Sequence, residues 1–409
     1  MNFKRTKYAC YFAYLAMSSV FSLPPILFVT FHDMYGISYT LLGTLVLVNF
    51  CIQLLIDLIF TFFAKYFNVK KVATVMPLLT SVGLLIYAIF PPLFPQYAFV
   101  GLLVGTIIFA VASGLCEVLL SPTVASLPSD NSERDMSTLH SLYAYGVVMV
   151  VVLSTVFLKL FGTQNWMYLT VFWAFPPIIS SLLFFTSPFP KAPLVDEKNN
   201  ISKSNNRFGL LLCVLCIFFG SAAENTMTNW ISGYMESALK IPKALGDILG
   251  LTVFAILLGL GRTVYAKYGK NIANVLLIGM IGSVVCYLVV GLSVSPMLSM
   301  VACIFTGLCT SMLWPGTLIL MEEKIPNAAV TAYALMAAGG DLGASVAPQL
   351  MGAVVDTVTL SKWAGVIGED LNLTAEQIGM KTGMLITTLF PLLGVILLIY
   401  IKKYFKQKV

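Results

Sequence analysis

Twelve long apolar runs, almost free of charge and joined by short polar connections, follow one another along this chain. A run needs about 20 predominantly apolar residues to cross about 30 Å of hydrocarbon, and these runs have that length. Inside a bilayer every backbone amide and carbonyl must be paired within the protein, which leaves helices or a closed barrel. The runs lack the apolar–polar alternation of barrel strands, so helices are expected. Composition agrees: of 409 residues, 58% are hydrophobic and 10% are charged, with a mean hydropathy of +0.90. Soluble domains carry about a quarter charged residues, so a water-soluble enzyme or binding module is excluded. The first run, from about Tyr8, is too long and too interrupted by prolines for a cleaved signal peptide.

The expected spans 1 to 6 are Tyr8–Thr30, Tyr39–Ala64, Lys71–Phe90, Tyr97–Ala125, Ser137–Phe161 and Trp166–Thr186. Spans 7 to 12 are Phe208–Met235, Ala244–Ala266, Ile272–Val294, Met297–Met321, Ala328–Val355 and Gly383–Ile401. Between the two sets lies a polar stretch rich in Asn, Lys, Pro and Ser, with no periodicity. It has the composition of a linker. The expected organisation is a first six-helix bundle over 1–187, a cytoplasmic linker over 188–207 and a second six-helix bundle over 208–409.

The two halves repeat. Ala64-Lys65-Tyr66 closes span 2 and Ala266-Lys267-Tyr268 closes span 8, an offset of 202. Gly114-Leu115-Cys116 with Pro122 in span 4 returns as Gly307-Leu308-Cys309 with Pro315 in span 10, at 193. The same 193 carries Gly146 of span 5 onto Gly339 of span 11. Ordered matches in equivalent spans imply two pseudo-symmetric six-helix bundles.

The formal net charge of +6 does not point to a nucleic-acid partner, because the basic residues gather at span ends. With the N-terminus inside, eighteen of them fall on the cytoplasmic side, among them Lys4, Arg5, Lys7, Lys70, Lys71, Lys402 and Lys403. The other side receives Lys159, Lys240, Lys243, Lys362 and Lys381. That bias places both termini in the cytoplasm of a cell (inner or plasma) membrane protein. All eight cysteines sit in or beside apolar runs. Cys213 and Cys216 read as packing residues and not as a redox or metal pair. No metal and no cofactor is expected, since no Walker lysine loop or dinucleotide fingerprint occurs. No enzyme is expected either: Asp341 in Gly340-Asp341 has no second apposed aspartate to make an intramembrane protease.

Ionisable groups inside a bilayer are costly, so each one is a functional candidate. The set is Asp57, Glu117, His140, Glu224, Arg262 and Asp341. In span 2, Asn49, Gln53 and Asp57 stand at i, i+4 and i+8, along one stripe of a helix. Asn49 and Gln53 either line a cavity or bond to a neighbouring helix. Asp57 reads as a gate residue or an ion-pair partner. In span 7, Asn225 and Asn229 share a face, with Glu224 and Thr228 beside them and Trp230 next in sequence. Amides that donate and accept, beside an indole, suit a polyhydroxylated ligand. Trp314 in span 10 offers a second ring, and Trp230 could equally be an interface anchor. Glu117 lies roughly five residues from the centre of span 4, about 8 Å along the axis. A carboxyl at that depth either exchanges a proton, which a proton-coupled carrier needs, or makes a static hydrogen bond or ion pair that holds span 4 to span 5 or 8; Glu224 is a second candidate for proton exchange. Arg262 could pair with Glu322 or Glu323 as an inner gate. Asp341, among Gly339, Gly340 and Gly343, is a buried hydrogen-bonded aspartate or a ligand contact. His140 reads as a cap.

These features resemble the major facilitator superfamily over nearly the whole chain. The family's signature after span 2 is degraded to TFFAKYFNVKK, whereas Gly261-Arg262 through Lys267-Tyr268-Gly269-Lys270 is closer to it. The resemblance implies a secondary transporter that works by alternating access, with spans 3, 6, 9 and 12 at the periphery. Gly114, Glu117 and Pro122 are similar to the arrangement in fucose permease-like sugar:proton symporters, which implies a role for Glu117 in proton coupling. That group places an aspartate inside span 1; here span 1 has no acid before Asp33. The expected function is cation-coupled, most simply proton-coupled, transport of a small polar organic solute, a sugar or sugar derivative. The alternatives are an exporter of drugs or lipid-like amphiphiles, or a sodium-coupled carrier. Protons are preferred because the carboxyls read as single and separated. The expected partners are the solute, the coupling ion and the lipid bilayer, with the chain a monomer.

Overall fold

Prolines, glycines and short polar caps set where each helix begins and ends. In the computed structural model, which describes residues 3–63, 66–128, 132–189, 207–325 and 330–406, no strand occurs among the described residues. Span 1 is the helix Lys4–Tyr35, and Gly36 closes it at φ 64, donating its N–H to the His32 carbonyl at 2.9 Å. That left-handed conformation favours glycine. Span 2 is Tyr39–Phe63. Span 3, Val69–Leu93, starts where the Asn68 side chain accepts the Lys71 N–H. Spans 4 and 5 are Ala98–Ala125 and Ser132–Phe161. Span 6 runs as Trp166–Trp173 and Phe175–Thr186, interrupted at Ala174 just before two prolines.

In the second half, span 7 is Arg207–Gly233, continued by a π-helical turn over Tyr234–Ala238. Span 8 opens with a π-helical stretch over Gly246–Thr252 and continues as Val253–Tyr268. Span 9 is Ile272–Leu292. Span 10 is broken into Pro296–Thr310 and Pro315–Lys324. Span 11 is Val330–Thr359, and span 12 is Ala375–Thr387 followed by Leu389–Lys406. Eleven helical stretches are long and apolar enough to cross a membrane, and span 11 with a bent companion helix makes a twelfth. The fold is all-α and twelve-spanning.

Two details depart from the sequence reading. Span 12 begins eight residues before Gly383, because Thr374 and Gln377 form a capping box that starts the helix at Ala375. Lys381 is therefore not a loop residue on the outer side. It sits inside span 12, 7% exposed, and donates to the Ser293 carbonyl at 2.6 Å and to the Tyr234 hydroxyl at 3.4 Å. The span 11–12 connection also holds a further helix, Lys362–Leu371, bent 83° from Ala332–Thr359. The expected linker at 188–207 falls almost wholly outside the described residues.

The chain divides into two units, one of residues 1–36 and 48–198, the other of residues 37–47 and 199–409. In the first, Ala9, Cys10, Ala13, Phe60, Ala73, Met76, Leu119 and Leu120 form a continuous buried cluster. Its equivalent in the second joins Cys213, Cys216, Ile217, Leu276, Met280, Leu313 and Leu320. Small residues let the helices approach closely, as membrane packing requires. Here the repeats become contacts. A Cβ on Gly146 of span 5 would lie 2.8 Å from the Leu15 carbonyl of span 1; one on Gly339 of span 11 would lie 2.9 Å from the Val214 carbonyl of span 7. Likewise Gly114 of span 4 sits against Ile56 of span 2, and Gly307 of span 10 against the Phe254 carbonyl of span 8. The matched glycines make the same contact in each unit.

Candidate functional site

The polar groups at membrane depth form one cluster in each unit. In the first, Gly114 brings span 4 against span 2, where a Cβ would meet Ile56 at 2.9 Å and the Gln53 Cα at 3.2 Å. One turn further along both helices this contact carries Glu117 toward Asp57, and the two interact electrostatically. The carboxyls of this unit are thus within electrostatic reach of one another. Tyr14 of span 1 also lies within electrostatic reach of Glu117, and its hydroxyl meets Ser121 Oγ at 3.0 Å. The Tyr14 ring packs edge-on against Tyr143 of span 5, which packs edge-on against Phe21. Glu117 is exposed on the surface of this unit and, among the described residues, takes part in no hydrogen bond or ion pair. The two groups within its electrostatic reach, Tyr14 and Asp57, come from spans 1 and 2.

Above this cluster, Gln53 is 2% exposed and donates to the Asn49 carbonyl at 3.3 Å. Asn49 is 8% exposed, and its Oδ1 has no hydrogen-bond partner. The polar stripe on span 2 is thus mostly buried. The side chain of His140 is outside the described residues.

In the second unit Arg262 is held by two partners. Its Nη2 lies 3.3 Å from Glu224 Oε1 of span 7, and its Nε donates to the Ser311 carbonyl of span 10 at 3.0 Å. That carbonyl is available for a local reason. The residue four positions on is Pro315, which has no N–H to return, and the helix is interrupted there. Glu224 Oε2 is buried and has no hydrogen-bond partner. Arg262 thus pairs with Glu224 rather than with Glu322 or Glu323; Glu322 instead accepts from the Tyr333 hydroxyl at 2.9 Å.

On span 7 each amide donates back along its own helix. Asn225 Nδ2 reaches the Ser221 carbonyl at 3.1 Å, and Asn229 Nδ2 reaches the Asn225 carbonyl at 2.8 Å. Neither Oδ1 is used in a hydrogen bond, so both remain as acceptors. Trp230 is fully buried, with its N–H on the Pro348 carbonyl at 3.0 Å and its ring 5.9 Å from that of Tyr39. Its ring also lies against Gly352 of span 11, where a Cβ would come within 3.2 Å of it. Trp314 is partly exposed and lies across Gly340 of span 11, where a Cβ would collide with the indole. Asp341, beside it, is 8% exposed.

Three charged features were not anticipated from the sequence. Asp247, 1% exposed, accepts from the Ser232 hydroxyl and lies 3.5 Å from Lys243, which also pairs with Glu236 at 3.3 Å. This network ties together the two π-helical stretches, which interrupt the periodicity a sequence reading relies on. Lys381 is the second, and the Thr374–Gln377 capping pair is the signal that places it inside a helix. The third is Asp356 at the end of span 11, whose carboxylate accepts the Tyr39 and Thr40 N–H groups at 3.0 and 2.6 Å. It caps the first turn of span 2, where amides have no helical partner. Among the described residues no group of histidine, cysteine or acid side chains is arranged to hold a metal ion.

Comparisons with known proteins agree with this architecture. The sequence model of the Major Facilitator Superfamily matches residues 9–348. No curated protein sequence matches. Among solved structures, a bacterial homologue of the human lysosomal transporter Spinster, in an inward-facing and occupied conformation, superposes with a TM-score of 0.78 at 13% identity, covering 97% of this chain and 96% of that one. A D-xylose-proton symporter gives 0.74 at 15% identity, over 95% and 96% of the two chains. The nucleoside transporter NupG gives 0.69 at 16% identity, over 99% and 100%. At these identities the likeness is one of fold. The family match spans more than half the chain, and the protein belongs to the major facilitator superfamily: it is a multi-pass membrane secondary transporter, not an enzyme.

Proposed function

We propose that the protein is a proton-coupled carrier of a small polyhydroxylated solute, a sugar or sugar derivative, and that Glu117 is its coupling group. One observation carries this reading: Glu117 lies in a membrane span, exposed on its unit's surface, and among the described residues it has no hydrogen bond and no basic partner. A carboxylate locked in an ion pair is held charged, whereas one without a counter-ion can load and release a proton. The unused Oδ1 atoms of Asn225 and Asn229, and the partly exposed ring of Trp314, are the groups we assign to solute hydroxyls and C–H faces. Glu224 with Arg262, and Asp341, hold the second unit's polar interior together. The solved neighbours that carry xylose with a proton, and nucleosides, fit a hydroxyl-rich substrate. Both termini are assigned to the cytoplasm of a plasma or inner membrane, and the carrier to a monomer.

Sodium coupling is the second reading, favoured because Asp57 and Glu117 lie within electrostatic reach of each other, and a pair of carboxyls attracts a cation. The test uses Glu117→Gln in proteoliposomes, with a candidate pentose or nucleoside as solute. Under an imposed pH gradient the variant fails to accumulate solute, while counterflow exchange without a gradient survives. Normal pH-driven accumulation by the variant would remove Glu117 from the coupling role. Accumulation driven by a sodium gradient and indifferent to pH would establish the second reading.

A further inference from the structure

The helix Lys362–Leu371 follows span 11 after a bend of 83°. Span 11 crosses the bilayer, so a helix nearly perpendicular to it lies in the plane of the membrane surface. Its residues sort into three sides. Ala364 and Gly368 are buried, and Ala364 packs with Val358 and Ile378 at the adjoining ends of spans 11 and 12. Next to that flank comes an exposed apolar arc: Trp363 is 46% exposed, Val366 62%, Ile367 40% and Leu371 47%. Lys362, Gly365 and Glu369 occupy the remaining side, and Asp370 in the last turn is the one charge within the arc. Leu360, in the bend itself, is 86% exposed and extends the apolar surface.

A water-facing helix would leave this arc in solvent. We infer that the helix is an interfacial anchor, lying flat in the lipid leaflet at the span 11–12 connection with Trp363, Val366, Ile367 and Leu371 at the boundary of headgroups and acyl chains. Three observations converge on lipid as the occupant. The bend sets the helix parallel to the membrane plane. The apolar arc runs on into Leu360 in the bend, which is 86% exposed, so the apolar surface reaches the end of span 11 itself. The arc also holds a tryptophan beside a lysine, the pair that favours headgroup depth. Helices of this kind bury their apolar side about 5–10 Å into that boundary.

The full-length protein in proteoliposomes tests this through Trp363 emission, taken as the difference between the parent and Trp363→Phe. Lipids brominated near the top of the acyl chain should quench that difference signal at least two-fold, and more than lipids brominated near the chain end. Aqueous iodide should leave it nearly unchanged. Quenching by iodide but not by bromolipid would place the helix in water and overturn the inference. Insensitivity to both would mean a protein partner, such as a second copy, covers the arc, and would also overturn it. Should Trp363→Phe fold poorly, the added emission of Ile367→Trp in the parent chain gives the same reading.

Discussion

Glu117 and Glu224 are both carboxylates in membrane spans, and the two units treat them differently. Glu224 is clamped by Arg262, which is itself fixed to the Ser311 carbonyl. Glu117 has no basic partner among the described residues and an acid, Asp57, within electrostatic reach. The repeat makes the contrast sharper, since the offset of 193 that carries Gly114 onto Gly307 carries Glu117 onto Thr310. That hydroxyl is buried and donates to the Thr306 carbonyl at 2.9 Å. Pseudo-symmetry thus preserves the packing and lets the charges diverge. One unit leaves its acid beside another acid; the other pairs its acid with an arginine.

The largest effect expected from this contrast is on coupling. Glu117→Gln should abolish pH-driven accumulation, whereas Glu224→Gln should retain it, with both measured as solute uptake on matched proteoliposomes. The reverse outcome would invert the comparison and make the Arg262-bound acid the proton carrier. Next comes Arg262→Ala, which strands Glu224 with neither oxygen paired. Losing one partner of a fully buried pair costs about 3–5 kcal/mol. With Arg262 44% exposed, a cost nearer 2–3 kcal/mol is expected. Thermal unfolding in detergent would show it, and adding Glu224→Gln to the same chain should recover most of the loss. No recovery would mean that Arg262 acts through Ser311 alone.

Substrate affinity should respond in the second unit. Asn225→Ala and Asn229→Ala each remove an acceptor whose own donor is already spent on the helix. Each should weaken binding by about 1–2 kcal/mol, roughly 5- to 30-fold, in a thermal-shift or equilibrium binding assay. Unchanged affinity in both would make span 7 structural. The smallest effect compares the matched glycines. A methyl at Gly307 falls on the Phe254 backbone carbonyl, whereas at Gly114 it meets the side chain of Ile56 at 2.9 Å, which has more freedom to shift. Gly307→Ala should therefore destabilise by about 1 kcal/mol more than Gly114→Ala, read from their unfolding midpoints. Equal costs would show that backbone contact is not what separates the two sites.

The fold was legible because the signals that set it are large and redundant. Hydrocarbon thickness dictates run length, and glycines repeated at one offset mark where helices touch. The site was legible only in part. Asn225, Asn229 and Glu224 share a span, so helical periodicity alone groups them. Glu117 and Asp57 interact electrostatically across spans 4 and 2, and the glycine that brings these spans together gives no hint of which residue it faces. Lys381 was misplaced because glycines and a charge look like a connection until the capping pair at Thr374 is weighed. The Asp247 network was hidden by π-helical turns, whose extra residue per turn shifts every side chain off the expected face.

Pro315 touches neither charge of the Glu224–Arg262 pair, yet its missing N–H is what leaves the Ser311 carbonyl open to the guanidinium. Heredity could therefore retune this ion pair without altering an ionisable residue. A substitution at Pro315 would let the helix reclaim Ser311 and leave Arg262 to Glu224 alone. A catalogue of variants that scores charge changes only would rank that position among the neutral ones. Pro122 occupies the matching place in span 4, and among the described residues no arginine bonds to the carbonyl four residues before it, so the same spelling change there would carry no such message.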